Sequence, residues 1–469
     1  MKQKFTSDIV IGLEIHAELN TESKLFCGCA RHGSEEPNTR TCQVCLGHPG
    51  SKPVLNKKVV DYALRLCIAL GCKISPELIF SRKSYFYPDM AKNYQISQYE
   101  IPLGTGGSLK LENGKEVRLK RVHIEEDPAS LVHPSGMTES KFVLVDYNRS
   151  GDPLCEIVTE PDLESPEQAR DFMKQLISVL NYLEIFDIDS CVIKADANIS
   201  IKETGYTRVE IKNITGFKEI ENALKFEVQR QKENVSEIVQ ETRAWDAENG
   251  MTRSLRKKEA EEEYGYIVDP DLVITEISSK MIDAIKKEMP ELGRDKAERF
   301  VKQFKIPEVD AKVLAAEKEL ALLFEKVAEE INPLLAARWL RRELVRVLNY
   351  NDKSLNEVEI DEKHIIELLE MVENKTITEN NAKKILEELI VNPFSPKEYV
   401  EKHGIKAVSS EDQITKWCEE AIAENSKAAE DFKSGNEKSI QFLIGQVMKK
   451  SKGQASPAEV NKIMRELLK

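Results

Sequence analysis

The 469-residue sequence predicts an α+β protein built in three parts. Residues 8 to about 295 alternate short β-like runs with a few helices, and Gly, Asn and Pro break the runs apart. From ELGRDKAERFVKQF onward almost every segment repeats its apolar residues at helical period, and a last block starts near 406. The three parts are therefore a large mixed α/β domain (1–295), a helical domain (296–405) and a small helical tail (406–469). The length agrees, since 469 residues exceed one ordinary core.

In the first part, IVIGLEIHAEL (9–19), LKLENGKEVRLKRVHIEED (109–127), KFVLVDYNR (141–149), PLCEIVTEPD (153–162), CVIKADANISIK (191–202) and TRVEIKNIT (207–215) read as strands. ENGKE is a hairpin signal. Helices fit residues 56–72, which end at a Gly, 165–183, which open with Ser-Pro, and 222–235. GTGG (104–107) lacks the Gly-Lys-Ser/Thr ending of a phosphate loop and reads as a hairpin turn.

The apolar runs are too short to span a bilayer, and MKQKFTSDIVIGLEIH has no apolar signal core, so the cytoplasm is the expected location. The formal net charge of −13 excludes wholesale wrapping of nucleic acid but leaves local basic patches open. Nine cysteines, an odd number, are expected to be reduced there. Four of them, Cys27, Cys29, Cys42 and Cys45, form Cys-x-Cys, twelve residues, Cys-x-x-Cys around a polar loop without a core of its own. Such spacing suits tetrahedral Zn²⁺, and four thiolates leave no open position, so the zinc would be structural. The alternative is a reduced, metal-free loop. His32 and His48 read as turn or outer residues, and the other five cysteines as core fillers.

Alternation also sorts the charged residues. Glu14, His16 and Glu18 share one face of the first strand, opposite Ile9, Ile11, Leu13 and Ile15. His123 and Glu125 share a face, with Glu126 at the strand end, and Glu156 lies between Leu154 and Val158. Converging carboxylates and a histidine suit Mg²⁺ bridging to phosphates; a solvated acidic sheet face is the alternative. In RKSYFYPDMAKNYQISQY, Lys83, Tyr85, Tyr87, Lys92 and Tyr94 interleave basic and aromatic groups, as a nucleotide site, a polar passage or a half-buried strand would. Arg338, Arg342 and Arg346 recur at i, i+4 and i+8. Residues 438–469, which include Lys449, Lys450 and Lys452, carry seven Lys/Arg against two acids, a net of +5.

IGLEIHAEL, CLGHPGSKPVLNKKVVDYALRLCIALGC, RKSYFYPDMAKNYQISQYEIP, RVHIEEDPA, VDYNRSGDPLCEIVTEPD, DANISI, VEIKNITGF and IGQVMKKSKGQASPAEVN occur in this order from Ile9 to nearly the C-terminus. Together they resemble the B-subunit family of aspartyl/glutamyl-tRNA amidotransferases. The resemblance implies a cradle-like catalytic domain, a helical domain and a tail. It implies use of ATP and Mg²⁺ to phosphorylate the side-chain carboxylate of Glu-tRNA(Gln) and/or Asp-tRNA(Asn). It also implies a partner amidase, the A subunit, that sends ammonia through a polar channel, a small C subunit, and no membrane.

By that resemblance Glu14, His16, Glu125 or Glu126, and Glu156 form the metal and kinase site, with Lys83 catalytic beside them. Tyr85, Tyr87 and Lys92 become substrate or channel residues, with Asp196 and Asn198 nearby. Arg338, Arg342, Arg346, Lys449, Lys450 and Lys452 become backbone contacts to tRNA. Two stretches depart from the family pattern: IDSCVIKADANIS lacks a Gly- and Glu-rich run, and RWLRRELVRVLNY is unusually basic. A zinc-bearing tRNA adaptor without chemistry of its own is the rival reading.

Overall fold

The structure, a computed structural model, describes residues 7–135, 140–188, 190–257, 264–405, 411–451 and 453–468. Two compact units divide the chain, Met1–Leu292 and Gly293–Lys469. The expected start of the tail at 406, and Lys452, lie outside the described residues.

Eight strands position the site: β1 (Ile9–Glu18), β2 (Ser81–Ser84), β3 (Tyr94–Ser97), β4 (Glu116–Glu126), β5 (Pro153–Thr159), β6 (Ile193–Ile201), β7 (Val209–Thr215) and β8 (Gly265–Val268). In a ten-stranded sheet the central order is β7-β6-β1-β5-β4, antiparallel throughout. β8, β2 and β3 form a separate three-stranded sheet in that order.

The period of two in β1 buries Ile11, Leu13, Ile15 and Ala17 completely, and Cys155, Ile157, Val122, Ile124, Ala195 and Ala197 extend that apolar face across its neighbours. Helices α1 (Lys57–Ala69), α2 (Pro166–Tyr182) and α3 (Phe217–Glu233) contribute Leu64, Leu66, Phe172, Leu176, Ala223 and Leu224 to the same core. Truncating a leucine there, such as Leu176→Ala, should cost about 2–5 kcal/mol. Asn56 caps α1 by accepting the Lys58 N–H, and Ser165 caps α2 by accepting that of Gln168.

The expected strand 141–149 shrinks to Leu144–Asp146, which among the described residues pairs with Ser130–Val132 alone. α3 begins at Phe217, before the expected 222, because Gly216 at φ 87° turns the chain into it. GTGG is not a free hairpin turn: Gly104–Thr105 pairs in the large sheet, and Gly107 passes over the end of α1. At Gly107 (φ +88°) an added Cβ would meet the Leu70 carbonyl oxygen at 2.4 Å, so only glycine fits.

The second unit is helical throughout its described elements. The segment expected as one arginine-bearing helix is interrupted: α4 (Pro333–Arg338) and α5 (Val345–Tyr350) are joined by a π-helical stretch, Trp339–Leu344. Its wider turn shifts the phase of side chains on either side. Near the C-terminus Ile414, Cys418, Leu443, Val447, Val460 and Met464 form a hydrophobic cluster of their own.

Candidate active site

Strand register creates the site. His16 on β1 lies directly across from Glu156 on β5, and Glu156 lies across from His123 on β4. On the far side of β1, Lys194 of β6 is opposite His16 and Asp196 is opposite Glu14. Partners across antiparallel strands share a face, so these groups stand together on the side away from the apolar core.

At the centre two imidazoles alternate with two carboxylates. His16 Nε2 lies 3.3 Å from Glu125 Oε1 and 3.4 Å from Glu156 Oε2. His123 Nε2 lies 3.5 Å from Glu125 and 3.5 Å from Glu156. Ser97 donates a hydrogen bond to Glu125 at 3.1 Å, and Arg121 reaches Glu156 at 3.5 Å. Glu14 stands 3.9 Å from His16 and closes the open side.

Burial disfavours every charge here, yet pairing wins for most of the groups. Burial pulls His16 down, but hydrogen bonds to Glu125 and Glu156 hold it well above its ordinary value. Burial pushes Glu125 up, and His123 and His16 more than reverse this. Glu156 is likewise lowered against burial by His123 and His16. Glu14 is the exception: burial, then the charge of Glu156, raises it.

Glu14, His16, Glu125 and Glu156 line a cavity of about 290 Å³ together with Lys83, Tyr85, Lys194, Asp196 and Lys212, while buried His123 stands behind them and outside the lining. Lys212 is tied to Asp196 at 2.7 Å and to Glu210 at 3.4 Å. Donor atoms of Glu14, His16 and Glu156 lie within 4.8 Å of one another, as do those of His123, Glu125 and Glu156. Carboxylate oxygens in that number, opening onto a polar cavity, can hold a hard divalent cation.

Several expected residues fall elsewhere. Glu126 points to the opposite face of β4, where Lys92 binds it at 2.6 Å and the Ile96 N–H at 2.8 Å. Glu126 and Lys92 thus neutralise each other away from the cluster, because one residue's step along a strand reverses the face. Tyr87 is 58% exposed and outside the cavity lining. Asn198 lies one pair further along β6, opposite Gly12, and does not line the cavity either. Conversely, Lys194 and Lys212 are not among the expected site residues, although the same alternation in IKADANIS and VEIKNIT would place them beside Asp196 and Glu210. Asp127 and Arg149, which also line the cavity, Tyr264, and Tyr266 of β8 give no local signal.

The thiols of Cys27, Cys29, Cys42 and Cys45 also come within 4.8 Å of one another, and none is in a disulfide. This geometry forms a possible four-thiolate metal site. Cys45 is lowered to about 5, first by its hydrogen bond with Cys27, while the same bond raises Cys27 and burial raises Cys29. His48 lies in a turn, its backbone carbonyl oxygen accepting from the Ser51 hydroxyl. The loop is stitched to the segment before β5. Asn38 N–H reaches Asp146 at 2.9 Å, Arg40 N–H reaches Asn148 at 2.8 Å, and buried Lys24 reaches the Ser150 carbonyl at 2.8 Å.

In the helical unit, the basic residues are partly spent on internal partners. Arg338 pairs with Glu379 at 2.7 Å, Lys383 with Glu343 at 2.8 Å, and Arg346 with Glu387 at 2.9 Å, a ladder between the α4–α5 segment and α6 (Glu379–Val391). Arg341 pairs with Asp310, and Lys450 with Glu424 and Glu420. Arg342 and Lys449 are exposed and make no ion pair among the described residues.

A charged cavity on one face of a mixed sheet, followed in the chain by a separate helical unit, defines an enzyme domain with a helical appendage. A family model described as the GatB/GatE catalytic domain matches residues 9–283, and one described as the GatB domain matches 322–468. The B subunits of aspartyl/glutamyl-tRNA(Asn/Gln) amidotransferases are similar along nearly their whole length. That of Thermodesulfovibrio yellowstonii is 43% identical over 98% of this chain and 99% of its own. Those of Thermoanaerobacter sp. (strain X514) and Persephonella marina are 42% and 41% identical, each over 98% of this chain and 99% of theirs. The chain belongs to this family of amidotransferase B subunits. Among the described residues no helix is long and apolar enough to cross a membrane.

Proposed function

We propose that the cavity phosphorylates the side-chain carboxylate of Glu-tRNA(Gln), Asp-tRNA(Asn) or both, at the expense of ATP. The observation that carries this is the ring of His16, Glu125, His123 and Glu156, with Glu14 at its open side. A free carboxylate is a poor acyl donor. Transfer of the γ-phosphoryl group to its oxygen releases ADP and gives an acyl phosphate. Ammonia then attacks the acyl carbon, inorganic phosphate leaves, and the product is Gln-tRNA(Gln) or Asn-tRNA(Asn).

Phosphoryl transfer asks chiefly for positioning and charge neutralisation. A bound Mg²⁺ would neutralise charge on the transferring phosphoryl group. Glu14, His16, Glu125 and Glu156 would hold it, and His123 fixes the two buried carboxylates from behind. Lys83 offsets charge at the transferred group, and Tyr85 shapes the wall beside it. Ammonia would come from a partner amidase, the A subunit, joined through a small C subunit, in the cytoplasm. The four thiolates would hold a structural Zn²⁺, because they fill its tetrahedron. Exposed Arg342 and Lys449, with the tail, would meet tRNA phosphates.

The test is transfer of labelled γ-phosphate from ATP to each misacylated tRNA, in the assembled enzyme without glutamine. Label recovered as acyl phosphate, and lost in Glu156→Ala, supports the reading. Tight tRNA binding without any label transfer would leave the adaptor reading in its place.

A further inference from the structure

Lys83 differs from the other lysines around the cavity in what surrounds its ammonium. Of the two other lysines lining the cavity, Lys212 is tied to Asp196 and Glu210, and Lys194 makes no ion pair among the described residues. Lys83 likewise makes no ion pair among the described residues. Its Nζ lies instead 5.0 Å from the ring centre of Tyr264 and 5.9 Å from that of Tyr85. The two rings meet edge to face, with centroids 5.8 Å apart and planes at 79°.

This arrangement is built by strand pairing. β8 lies antiparallel to β2 with Tyr266 directly across from Lys83, so Tyr264 enters beside it. Tyr266 stacks on Tyr99 at 3.8 Å and 13°, which anchors the strand. A carboxylate would hold an ammonium but cancel its charge. An aromatic face holds it through the ring quadrupole and leaves the full charge for a ligand.

We propose that Tyr264, together with Tyr85, is a positioning residue that holds the unneutralised Lys83 ammonium against the cavity wall, facing the transferred phosphoryl group. The inference rests on the phosphorylating role proposed above for Lys83. Tyr264 does not touch substrate and acts only through that ammonium. Losing its ring face frees a four-methylene chain to sample other rotamers, and the cost appears in turnover rather than in folding.

The test uses the complete assembled amidotransferase carrying Tyr264→Leu, Tyr264→Phe, Lys83→Met, or Tyr264→Leu with Lys83→Met. Tyr264→Leu should lower acyl-phosphate formation about 5-fold, the scale of one cation–π contact. Tyr264→Phe, which keeps the ring, should restore it. Added to Lys83→Met, Tyr264→Leu should change nothing further, a non-additivity that a merely space-filling tyrosine would not show. In methyl-labelled lysine NMR, the resonance absent from Lys83→Arg should carry an upfield ring-current shift that Tyr264→Leu removes and Tyr264→Phe retains. Wild-type turnover in Tyr264→Leu, with Lys83→Met measurably slowed, would overturn the holder alone, as would an unshifted Lys83 resonance. Full turnover in Lys83→Met would instead remove Lys83 from the reaction, and the holder's purpose with it.

Discussion

His16 and His123 stand on the two strands that flank β5, and each aims its Nε2 at the same oxygen of Glu156, at 3.4 and 3.5 Å. Neither histidine could bring Glu156 and Glu125 together alone, since two buried carboxylates at this separation repel each other. With an imidazole on either side, both remain ionised.

Glu156→Gln keeps the shape of the ring and removes one charge from it. Acyl-phosphate formation should fall at least about 100-fold, the scale of one preorganised electrostatic group in phosphoryl transfer. tRNA affinity, measured by filter binding, should stay within about twofold. Wild-type phosphorylation in this variant would move the kinase site elsewhere.

Glu126→Gln separates the adjacent carboxylates of β4. Glu126 faces away from the cluster and is held by Lys92, so its loss should strand a buried ammonium. The expected effect is a stability loss of about 3–5 kcal/mol by denaturant titration, with turnover of the folded fraction preserved. Glu125→Gln should show the reverse pattern, near-native stability with turnover lost.

Metal analysis should find about one zinc per chain, by four-thiolate stoichiometry. Cys42→Ser should lower the melting temperature and soluble yield. Since the loop is bonded to Asp146, Asn148 and Ser150, hydrogen exchange should speed up across that segment as well as in the loop. Unchanged exchange there would show the stitching to be independent of the metal.

Two arginines on one segment should behave differently. Arg342 is exposed and unpaired among the described residues, so Arg342→Ala should weaken tRNA binding and reduce the salt slope by about one. Arg346 is committed to Glu343 and Glu387, so Arg346→Ala should change affinity less. Removing residues from about 406 onward should also weaken tRNA binding while the first unit stays folded.

Asp152 gives a pH dependence of known sign. Burial raises its carboxyl to about 7 from an ordinary 3.8, against the pull of Arg31 and Lys24. The folded chain therefore holds this proton more tightly than the unfolded chain. The stabilisation is complete below about pH 4 and is lost as pH rises through about 7. Asp152→Asn should gain on the wild type between pH 5 and pH 8, by about 1–3 kcal/mol in denaturant titrations.

Sequence alone determined which residues share a face. Period two is a local property of extended backbone, so Glu14 with His16, and His123 with Glu125, were legible in single segments. The caps of α1 and α2, the thiol spacing and the helical character of the second unit are local in the same way. Tertiary structure decided which strands are neighbours and in what register. That alone makes Lys194, His16, Glu156 and His123 one row, and sends Glu126 to Lys92 on the reverse face. It also brought Tyr264 to Lys83 and turned part of an arginine stripe into an interhelical ladder. Pairing between segments far apart in the chain is chosen by burial of the whole apolar face, and no single segment carries that information.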